Sequence, residues 1–329
     1  MRRRSFITLL GGAAAAWPLE LRAQEPGRTY RLGGLTPSPR DAPHYAALFD
    51  ELRKLGFIEG QNLTIDWRGY GVRTEQFRDI AVELVKARPD VIFCAGDIAV
   101  RAVQQATTAI PILAVTDDMV GAGLVRSLAE PGGNTTGVSI LATELDGKRQ
   151  DLLIEAVPGL RRMATLVDVS TTTPQKLKAL EDAARARGVK LSIHRVTQSE
   201  EVLPAIDAAK TSDAAALNVL ASPLLFANRQ LIIERAAALR LPAVYQFPEM
   251  AEDGGLIAYG PRLVEMFRDF GRRQLIKLFR GVKPNDLPVE QPSHFELVIN
   301  LQTAKAIGHE VPAGLVLRAD KVIETPCGI

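Results

Sequence analysis

The sequence carries the same structural unit, a strand, a loop, a helix and a second strand, once in each half. In the first half the unit is predicted as the strand Tyr30–Leu35, the loop Thr36–Asp41, the helix Tyr45–Leu55 and the strand Leu63–Trp67. In the second half it is predicted as the strand Met163–Val167, the loop Asp168–Thr173, a helix from Pro174 and the strand Lys190–Val196. Strands that alternate with helices are typical of parallel sheets covered by helices on both faces. The repeat therefore predicts an α/β chain of two Rossmann-like lobes with parallel sheets.

Two further strand candidates follow the unit in each half and support the same prediction. Pro89–Cys94 and Ile110–Val115 in the first half correspond to Ala214–Leu220 and Leu241–Gln246 in the second. Short apolar runs bounded by turn residues fit strands that are buried on both faces. Right-handed crossovers then bring the strand-to-helix loops of each lobe to one edge of its sheet, where ligands bind in such folds. Two such edges that face each other form a cleft suited to gripping a solute.

The first 23 residues have the pattern of an export signal. Three arginines at positions 2–4 precede the apolar stretch Phe6–Trp17, and the small residue Ala23 offers a cleavage point. Arg3–Ile7 also resembles a twin-arginine motif, and an uncleaved amphipathic anchor is the alternative. Phe6–Trp17 is too short to span a bilayer, which needs about 20 apolar residues. We expect a periplasmic protein whose signal peptide is cleaved near Ala23.

Charge and composition exclude some classes of protein. The chain has 329 residues, of which 47% are hydrophobic, and this is ample for two buried cores. Its net charge is +2, but residues 1–23 hold four Arg and one Glu, so the remainder is near −1. A near-neutral mature chain offers no basic patch for nucleic acid. With two cysteines, Cys94 and Cys327, the fold is not expected to depend on disulfides, and Cys94 is expected in a buried strand.

Turns and helix ends suggest how the chain divides. Glu130–Asn134 is a strong turn signal that leads from the first lobe toward the second. A long helix after Pro261 ends at Gly281, and the proline-containing segment Lys283–Gln291 predicts an extended crossing. The predicted domains are residues 1–23 for the signal, 28–140 with 263–290 for lobe 1, and 141–262 with 291–325 for lobe 2. Several crossings of this kind permit closure while the lobes stay in register.

Three sequence blocks carry a resemblance to a known family. They are Ala122–Ser139, Gly254–Pro261, and Leu287–Pro292 with its continuation Phe295–Lys305. Together they resemble the ABC transporter substrate-binding proteins of the tryptophan/tyrosine-type periplasmic solute binders, over about residues 30–324. The resemblance implies a type I periplasmic binding protein fold with three interlobe crossings and a ligand in the cleft. It also implies delivery to an inner-membrane ABC permease with a cytoplasmic ATPase, without fixing the ligand.

The loops after the strands are expected to line the cleft. The candidate ligand-binding residues in these loops and at these strand ends are Thr36, Ser38, Gly96, Asp97, Asp118, Thr172, Ser222, Tyr245 and Tyr259. Free N–H groups at helix N-termini attract anions, so a solute carboxylate would suit Ser38 or the loop of Thr172. An aspartate in the opposing loop would suit an ammonium group.

Each candidate also has a purely structural interpretation. Ser38, Thr173 and Ser222 fit helix caps, and Asp97 either caps a helix or favours a cationic or polar solute in the cleft. The resembling family usually has Thr or Ser followed by Pro at this position, so Asp97 puts an aromatic amino-acid ligand in doubt. One of Asp117 and Asp118 would bind ligand and the other would stabilise the turn. Tyr245 and Tyr259 either stack on a solute or pack against a lobe wall.

The sequence supports an enzymatic function less well than it supports solute binding. The four histidines are scattered, without the pairing of a metal site, and no nucleophile elbow or P-loop lysine is present. His44 is expected at a surface helix start. We therefore predict no catalysis, no cofactor and no metal, and a monomer that binds a small polar solute, such as an amino acid or a related compound. The alternatives are a ligand-sensing periplasmic module for a signalling receptor and a two-lobed sugar-processing enzyme.

Overall fold

The strands form two separate sheets, one in each half of the molecule. The structure is a computed structural model that describes residues 27–324, so the predicted signal peptide and Cys327 lie outside the described residues. Within this range one sheet has five strands and the other seven. Lobe 1 is the part built around the first sheet and lobe 2 the part built around the second. The prediction of a two-lobed α/β chain is confirmed.

Lobe 1 begins with a fully parallel sheet. Its strands are β1 (Tyr30–Leu35), β2 (Leu63–Arg68), β3 (Val91–Ala95), β4 (Ile112–Thr116) and β5 (Thr135–Ser139), in the spatial order β2-β1-β3-β4-β5. Its helices are α1 (Pro43–Lys54), α2 (Phe77–Lys86) and α3 (Asp97–Ala106), with a 3₁₀ turn at Thr74–Gln76. The apolar runs seen in the sequence lie in the central strands, and Cys94 in β3 is fully buried.

Lobe 2 follows the same alternation. Its first elements are α4 (Asp146–Ala156), β6 (Arg162–Asp168), α5 (Pro174–Ala186), β7 (Lys190–Val196), α6 (Val202–Thr211), β8 (Leu217–Val219), α7 (Pro223–Ala227), α8 (Arg229–Ala238), β9 (Ala243–Tyr245), α9 (Pro248–Glu252) and β10 (Ile257–Gly260). The chain then forms α10 (Leu263–Phe270), α11 (Ile276–Phe279), β11 (Glu296–Asn300), α12 (Leu301–Ile307), α13 (Ala313–Val316) and β12 (Lys321–Ile323). The spatial order of this sheet is β12-β11-β10-β9-β8-β6-β7.

The ends of the first helix in each unit follow from local residues. Gly56 and Gly188 adopt φ angles of 87° and 72°, the left-handed conformation that ends a helix and that glycine adopts without steric penalty. At the start of α5, the Thr173 hydroxyl accepts a hydrogen bond from Lys176 N at 3.3 Å, and Pro174 occupies the first turn. The helix cap predicted at Thr173 is confirmed.

Two strands depart from the predicted parallel arrangement, β11 and its parallel neighbour β12. β11 runs antiparallel to β10, with Gly260 opposite Glu296 and Ile257 opposite Ile299. The reason lies in the path of the chain, because β10 ends at the edge where the lobes meet and the chain returns from lobe 1 to that same edge. β11 therefore enters lobe 2 where β10 leaves it and runs back.

The long helix predicted after Pro261 is interrupted. Residues Gly271–Leu275 form a π-helical segment between α10 and α11. This segment packs on α1 of lobe 1, where Arg272 Nε lies 3.0 Å from Glu51 Oε1. The buried Gln274 side chain donates to Gly137 O at 3.1 Å and to Pro288 O at 3.3 Å. Single π turns are often found at functional positions, and this one places a side chain between two crossing segments.

The chain passes between the lobes after β5, after β10 and before β11. The first and third passages pair with each other, because Glu290 N donates to Gly137 O at 2.8 Å and Ser139 N donates to Glu290 O at 2.9 Å. This pairing joins two crossings into a short hinge. The residue boundaries of the lobes given above stay a prediction.

Gly137 in this hinge leaves no room for a side chain. Its φ is 150°, and a Cβ there would lie 1.8 Å from Ala114 O. Gly137→Ala is therefore expected to lower the free energy of unfolding by at least about 3 kcal/mol, because a backbone clash adds to conformational strain. Thermal unfolding checks this, with Gly147→Ala as the control in open space within α4. Equal melting temperatures for the two variants would contradict the geometry.

Candidate functional site

The strand-end loops of the two lobes face each other. A Cβ placed on Gly96, after β3 of lobe 1, would lie 3.3 Å from Pro223 Cγ at the start of α7 in lobe 2. Lys176 Nζ on α5 lies 3.8 Å from Asp117 Oδ2, which follows β4. Thr171 Oγ1 donates to Ala221 O at 3.4 Å, which brings two loops of lobe 2 together opposite Gly96. We call this meeting of the 95–97 and 116–118 loops with the 170–173 and 221–223 loops the interlobe site.

Asp97 lies at the lobe 1 side of the interlobe site. Gly96 occupies the N-cap of α3 without a side-chain cap, so Asp97 is the first helical residue and does not cap the helix. Its half-buried side chain has no ion pair among residues 27–324. Burial, and secondarily the nearby Asp117, raise the pKa of Asp97 above the ordinary value for an aspartate.

A buried hydroxyl without a partner lies on each side of the site. Thr116, at the end of β4, is 2% exposed, and its Oγ1 makes no hydrogen bond of acceptable geometry within the described residues. Thr172 Oγ1, in the loop before α5, is likewise buried and without a partner in that part of the chain. Buried polar groups are nearly always hydrogen-bonded, and each exception calls for an explanation.

Asp117 and Asp118 have different partners. Asp117 accepts hydrogen bonds from Thr143 N at 2.8 Å and from the Thr143 hydroxyl, and it lies close to Lys176. Asp118 Oδ1 accepts from Gly121 N at 2.8 Å. Asp118 therefore holds the local turn, while Asp117 connects lobe 1 to the first crossing and to α5.

Thr36 and Ser38 lie in the loop after β1. Both are almost fully buried, and the Thr36 hydroxyl donates to Ser38 O at 3.0 Å. The N-cap of α1 is Ala42, so the suggestion that Ser38 caps a helix is wrong. The Thr36 hydroxyl is therefore used within the loop, and the Ser38 hydroxyl remains the candidate ligand group of this loop.

Ser222, Tyr245 and Tyr259 have mainly structural surroundings. Ser222 Oγ accepts from Leu225 N at 3.1 Å, which caps α7, and donates to Asp168 Oδ2 at 2.6 Å. Tyr245 is 1% exposed in the core of lobe 2, where a Cβ on Gly255 would meet its ring at 2.7 Å. This placement favours wall packing over stacking on a solute. Tyr259 is half-buried, and its ring lies 6.3 Å from that of Phe295.

A buried ion pair that was not predicted from the sequence lies next to the interlobe site. Arg149 and Asp146 on α4 are almost fully buried, and Arg149 Nη1 lies 2.5 Å from Asp146 Oδ1. Arg149 also donates to Ala142 O at 2.9 Å and to Tyr259 O at 2.8 Å, while Asp146 Oδ1 accepts from Ala221 N at 3.2 Å. The pair therefore fixes the first crossing, the end of β10 and the loop before α7.

A signal for this pair was present in the sequence. Arg149 shares one helical face with Leu145, Leu152, Leu153 and Ala156, and a charge on an apolar face predicts a buried partner. Burial raises the pKa of Asp146, whereas Arg149 and the Ala221 N–H oppose that rise. Arg149 Nη2 has no hydrogen-bond partner among residues 27–324.

His44 lies at the start of α1, as expected, but it is buried rather than exposed. Its side chain is 5% exposed, and its ring lies 4.9 Å from Phe267 and 5.6 Å from Phe226 of lobe 2. Burial, and secondarily the positive charge of Arg229, lower the pKa of His44 to about 3. Aromatic packing across the lobe boundary therefore replaces the surface role expected from the sequence.

A surface pocket of about 320 Å³ lies elsewhere in lobe 1. Its wall is formed by residues 123–126 and 131–135 with Gln104. It contains none of the candidate ligand-binding residues. Within residues 27–324 no group of His, Cys, Asp or Glu side chains could hold a metal ion, and no helix is long and apolar enough to cross a bilayer.

Solved structures share this fold. A conserved domain protein from Vibrio cholerae O1 biovar eltor has a TM-score of 0.79 at 23% identity, over 90% of this chain and 99% of its own. An ABC domain from Streptococcus pneumonia in complex with L-Trp has a TM-score of 0.77 at 22% identity, over 90% of this chain and 100% of its own. The fold is that of type I periplasmic binding proteins, as the sequence resemblance implied.

Sequence comparison identifies the family. A curated relative, the tyrosine-binding protein of Clostridioides difficile, is 26% identical over 262 residues, which are 78% of this chain and 74% of the relative. Residues 40–323 match the family described as ABC transporter substrate binding protein. The names of the relative and of the Streptococcus structure describe binding of tyrosine and of L-Trp, respectively. The chain therefore belongs to the ABC transporter substrate binding protein family.

Proposed function

We propose that this protein is the periplasmic component of an ABC importer and that it binds a small polar solute between its lobes. The solute class is an amino acid or a related compound, in keeping with the tyrosine-binding relative and with the L-Trp complex. The partners are an inner-membrane permease and its cytoplasmic ATPase. The predicted export signal in residues 1–23 supports a location outside the cytoplasm.

One observation carries the location of the binding site. The hydroxyls of Thr116 in lobe 1 and Thr172 in lobe 2 are buried and make no hydrogen bond of good geometry within residues 27–324, and they lie in loops that face each other. An unpaired buried hydroxyl destabilises the folded chain, and a bound solute that bonds both hydroxyls removes this penalty. Contacts to both lobes also make solute binding favour the closed arrangement, since a ligand shifts the equilibrium only through differential affinity.

The test uses variants that remove these hydroxyls, and Thr116→Val also removes the hydroxyl that lowers the pKa of the neighbouring Asp97. Thr116→Val and Thr172→Val are each expected to weaken solute binding roughly two- to twelvefold, from the about 0.5–1.5 kcal/mol that a hydrogen bond contributes. The solute is first found by a thermal-shift screen against amino acids, small carboxylates, polyamines and nucleosides. Isothermal titration calorimetry then measures the dissociation constant for each variant.

Thr165→Val is the matched control. Thr165 Oγ1 is also buried without a partner among residues 27–324, but it lies in the middle of β6, between Ile193 and Asn218 on the neighbouring strands. The control variant should bind the solute as the wild type does. Unchanged affinity in both Thr116→Val and Thr172→Val would remove the interlobe site as the binding site.

A further inference from the structure

Asp97 and Asp118 are acidic groups of the interlobe site that form no ion pair among residues 27–324, although the charge of Arg101 favours the ionised form of Asp97 by lowering its pKa. Arg101, one helical turn away, donates instead to Ala122 O. Lys176 lies by Asp117 and donates to the Thr143 hydroxyl. Asp118 accepts from the Gly121 N–H. Asp97 is therefore a half-buried carboxylate with no ion pair among residues 27–324.

Thr116 lies directly beside Asp97. Gly96 N donates to Val115 O at 2.9 Å, so the residues that follow on β3 and β4 are neighbours at the edge of the sheet. The Thr116 hydroxyl is close enough to favour the ionised form of Asp97, although it makes no hydrogen bond of acceptable geometry. The Asp97 carboxylate and the Thr116 hydroxyl thus lie together next to Gly96, which faces Pro223 of the opposite lobe.

Among residues 27–324 the half-buried side chain of Asp97 neither caps a helix nor forms an ion pair. It does not cap α3, because Gly96 occupies that position without a side-chain cap. Its carboxylate gains some stabilisation from the helix dipole, as any acid in a first turn does. Against this, burial and the neighbouring acids Asp117 and Asp118 raise its pKa, so the ionised group lowers the stability of the protein without ligand. A destabilising charge retained at a binding site is typical of a functional group.

We propose that the solute carries a cationic nitrogen, as an amine or amidine, and that Asp97 and Thr116 bind this group together. The inference rests on the proposed function, because it concerns the same site. An ammonium group has three donors and supplies the missing positive charge. Hydrogen bonds between an ammonium and a carboxylate are about twice as strong as neutral ones, so this contact selects charged nitrogen over a neutral isostere.

Matched probe pairs test the inference. Each pair differs in one charged nitrogen: L-tyrosine with 3-(4-hydroxyphenyl)propionate, tyramine with 4-ethylphenol, and n-butylamine with 1-butanol. Calorimetry measures each probe on the wild type, on Asp97→Asn and on Asp79→Asn, an exposed acid in the first turn of α2. We expect the amine member of at least one pair to bind at least about tenfold more tightly to the wild type. Asp97→Asn should abolish this preference, and Asp79→Asn should preserve it.

The stability of the variants separates recognition from folding. Asp97→Asn without ligand should melt at or above the wild-type temperature, since the raised pKa of Asp97 means that its charge opposes folding. Amine preference that survives in Asp97→Asn overturns the inference, and so does equal binding of both members of every pair. A solute without cationic nitrogen that is still weakened by Thr116→Val and Thr172→Val also overturns it, while the proposed function stands.

Discussion

Replacing Arg149 with methionine is expected to lower the free energy of unfolding by about 3–5 kcal/mol, the usual effect of breaking a buried ion pair. The guanidinium is fully buried and holds Asp146, Ala142 O and Tyr259 O. Its loss leaves the Asp146 carboxylate buried without its cation and frees two carbonyl groups. Chemical denaturation at neutral pH measures the effect.

The chain offers a matched control for this experiment. Asp182 and Arg185 on α5 have the same three-residue spacing and a contact of 2.9 Å, but both side chains are exposed. Arg185→Met should change stability by less than about 1 kcal/mol, because exposed ion pairs contribute little. The loss of unfolding free energy in Arg149→Met should also become smaller at lower pH, because Asp146 takes up a proton readily once the Arg149 guanidinium is removed. Similar losses in the two Met variants would contradict a structural role for the buried pair.

Acidification is expected to destabilise the protein through His44. The pKa of His44 is about 3 when folded against 6.5 for the unfolded residue, so the unfolded chain binds the proton first as pH falls. The contribution to stability is complete above about pH 6.5 and falls by about 1.4 kcal/mol per pH unit toward pH 3. Because Phe226 of lobe 2 covers this ring, protonation also disfavours the contact between the lobes.

Comparison with His44→Leu isolates this effect from the titration of carboxylates. Relative to His44→Leu, the wild type should lose about 3 kcal/mol of unfolding free energy between pH 7.5 and pH 4. His294→Leu, at an exposed position, serves as the control and should track the wild type. Parallel pH profiles for the wild type and His44→Leu would show that His44 does not resist protonation in the folded protein.

Most of the fold could be predicted because its signals are local. The apolar run Tyr30–Leu35 forms β1 with the predicted bounds, and Lys190–Val196 likewise forms β7. Gly56 and Gly188 end helices because a left-handed residue is needed at those points. By contrast, the antiparallel direction of β11 depends on where the chain re-enters lobe 2. No local pattern contains that information.

The candidate site was less predictable because its chemistry depends on contacts between distant residues. Residue type marks Asp97, Thr172 and Tyr245 as equally plausible ligand contacts, yet only the packing of lobe 2 shows that Tyr245 is enclosed. In the same way, residue type does not distinguish the two threonines. The Thr36 hydroxyl donates to Ser38 O, whereas the Thr116 hydroxyl makes no hydrogen bond of good geometry within residues 27–324. Arg149 was detectable as a charge on an apolar helical face with Asp146 one turn away, but its other two partners, Ala142 O and Tyr259 O, lie outside α4.

The most direct test is a crystal structure of the wild-type protein with the tightest-binding solute from the screen. We expect electron density for the solute at the interlobe site, in contact with Thr116 and Asp97 on one side and with Thr172 on the other. Density for the solute in the lobe 1 pocket formed by residues 123–126 and 131–135, with none between the lobes, would contradict it.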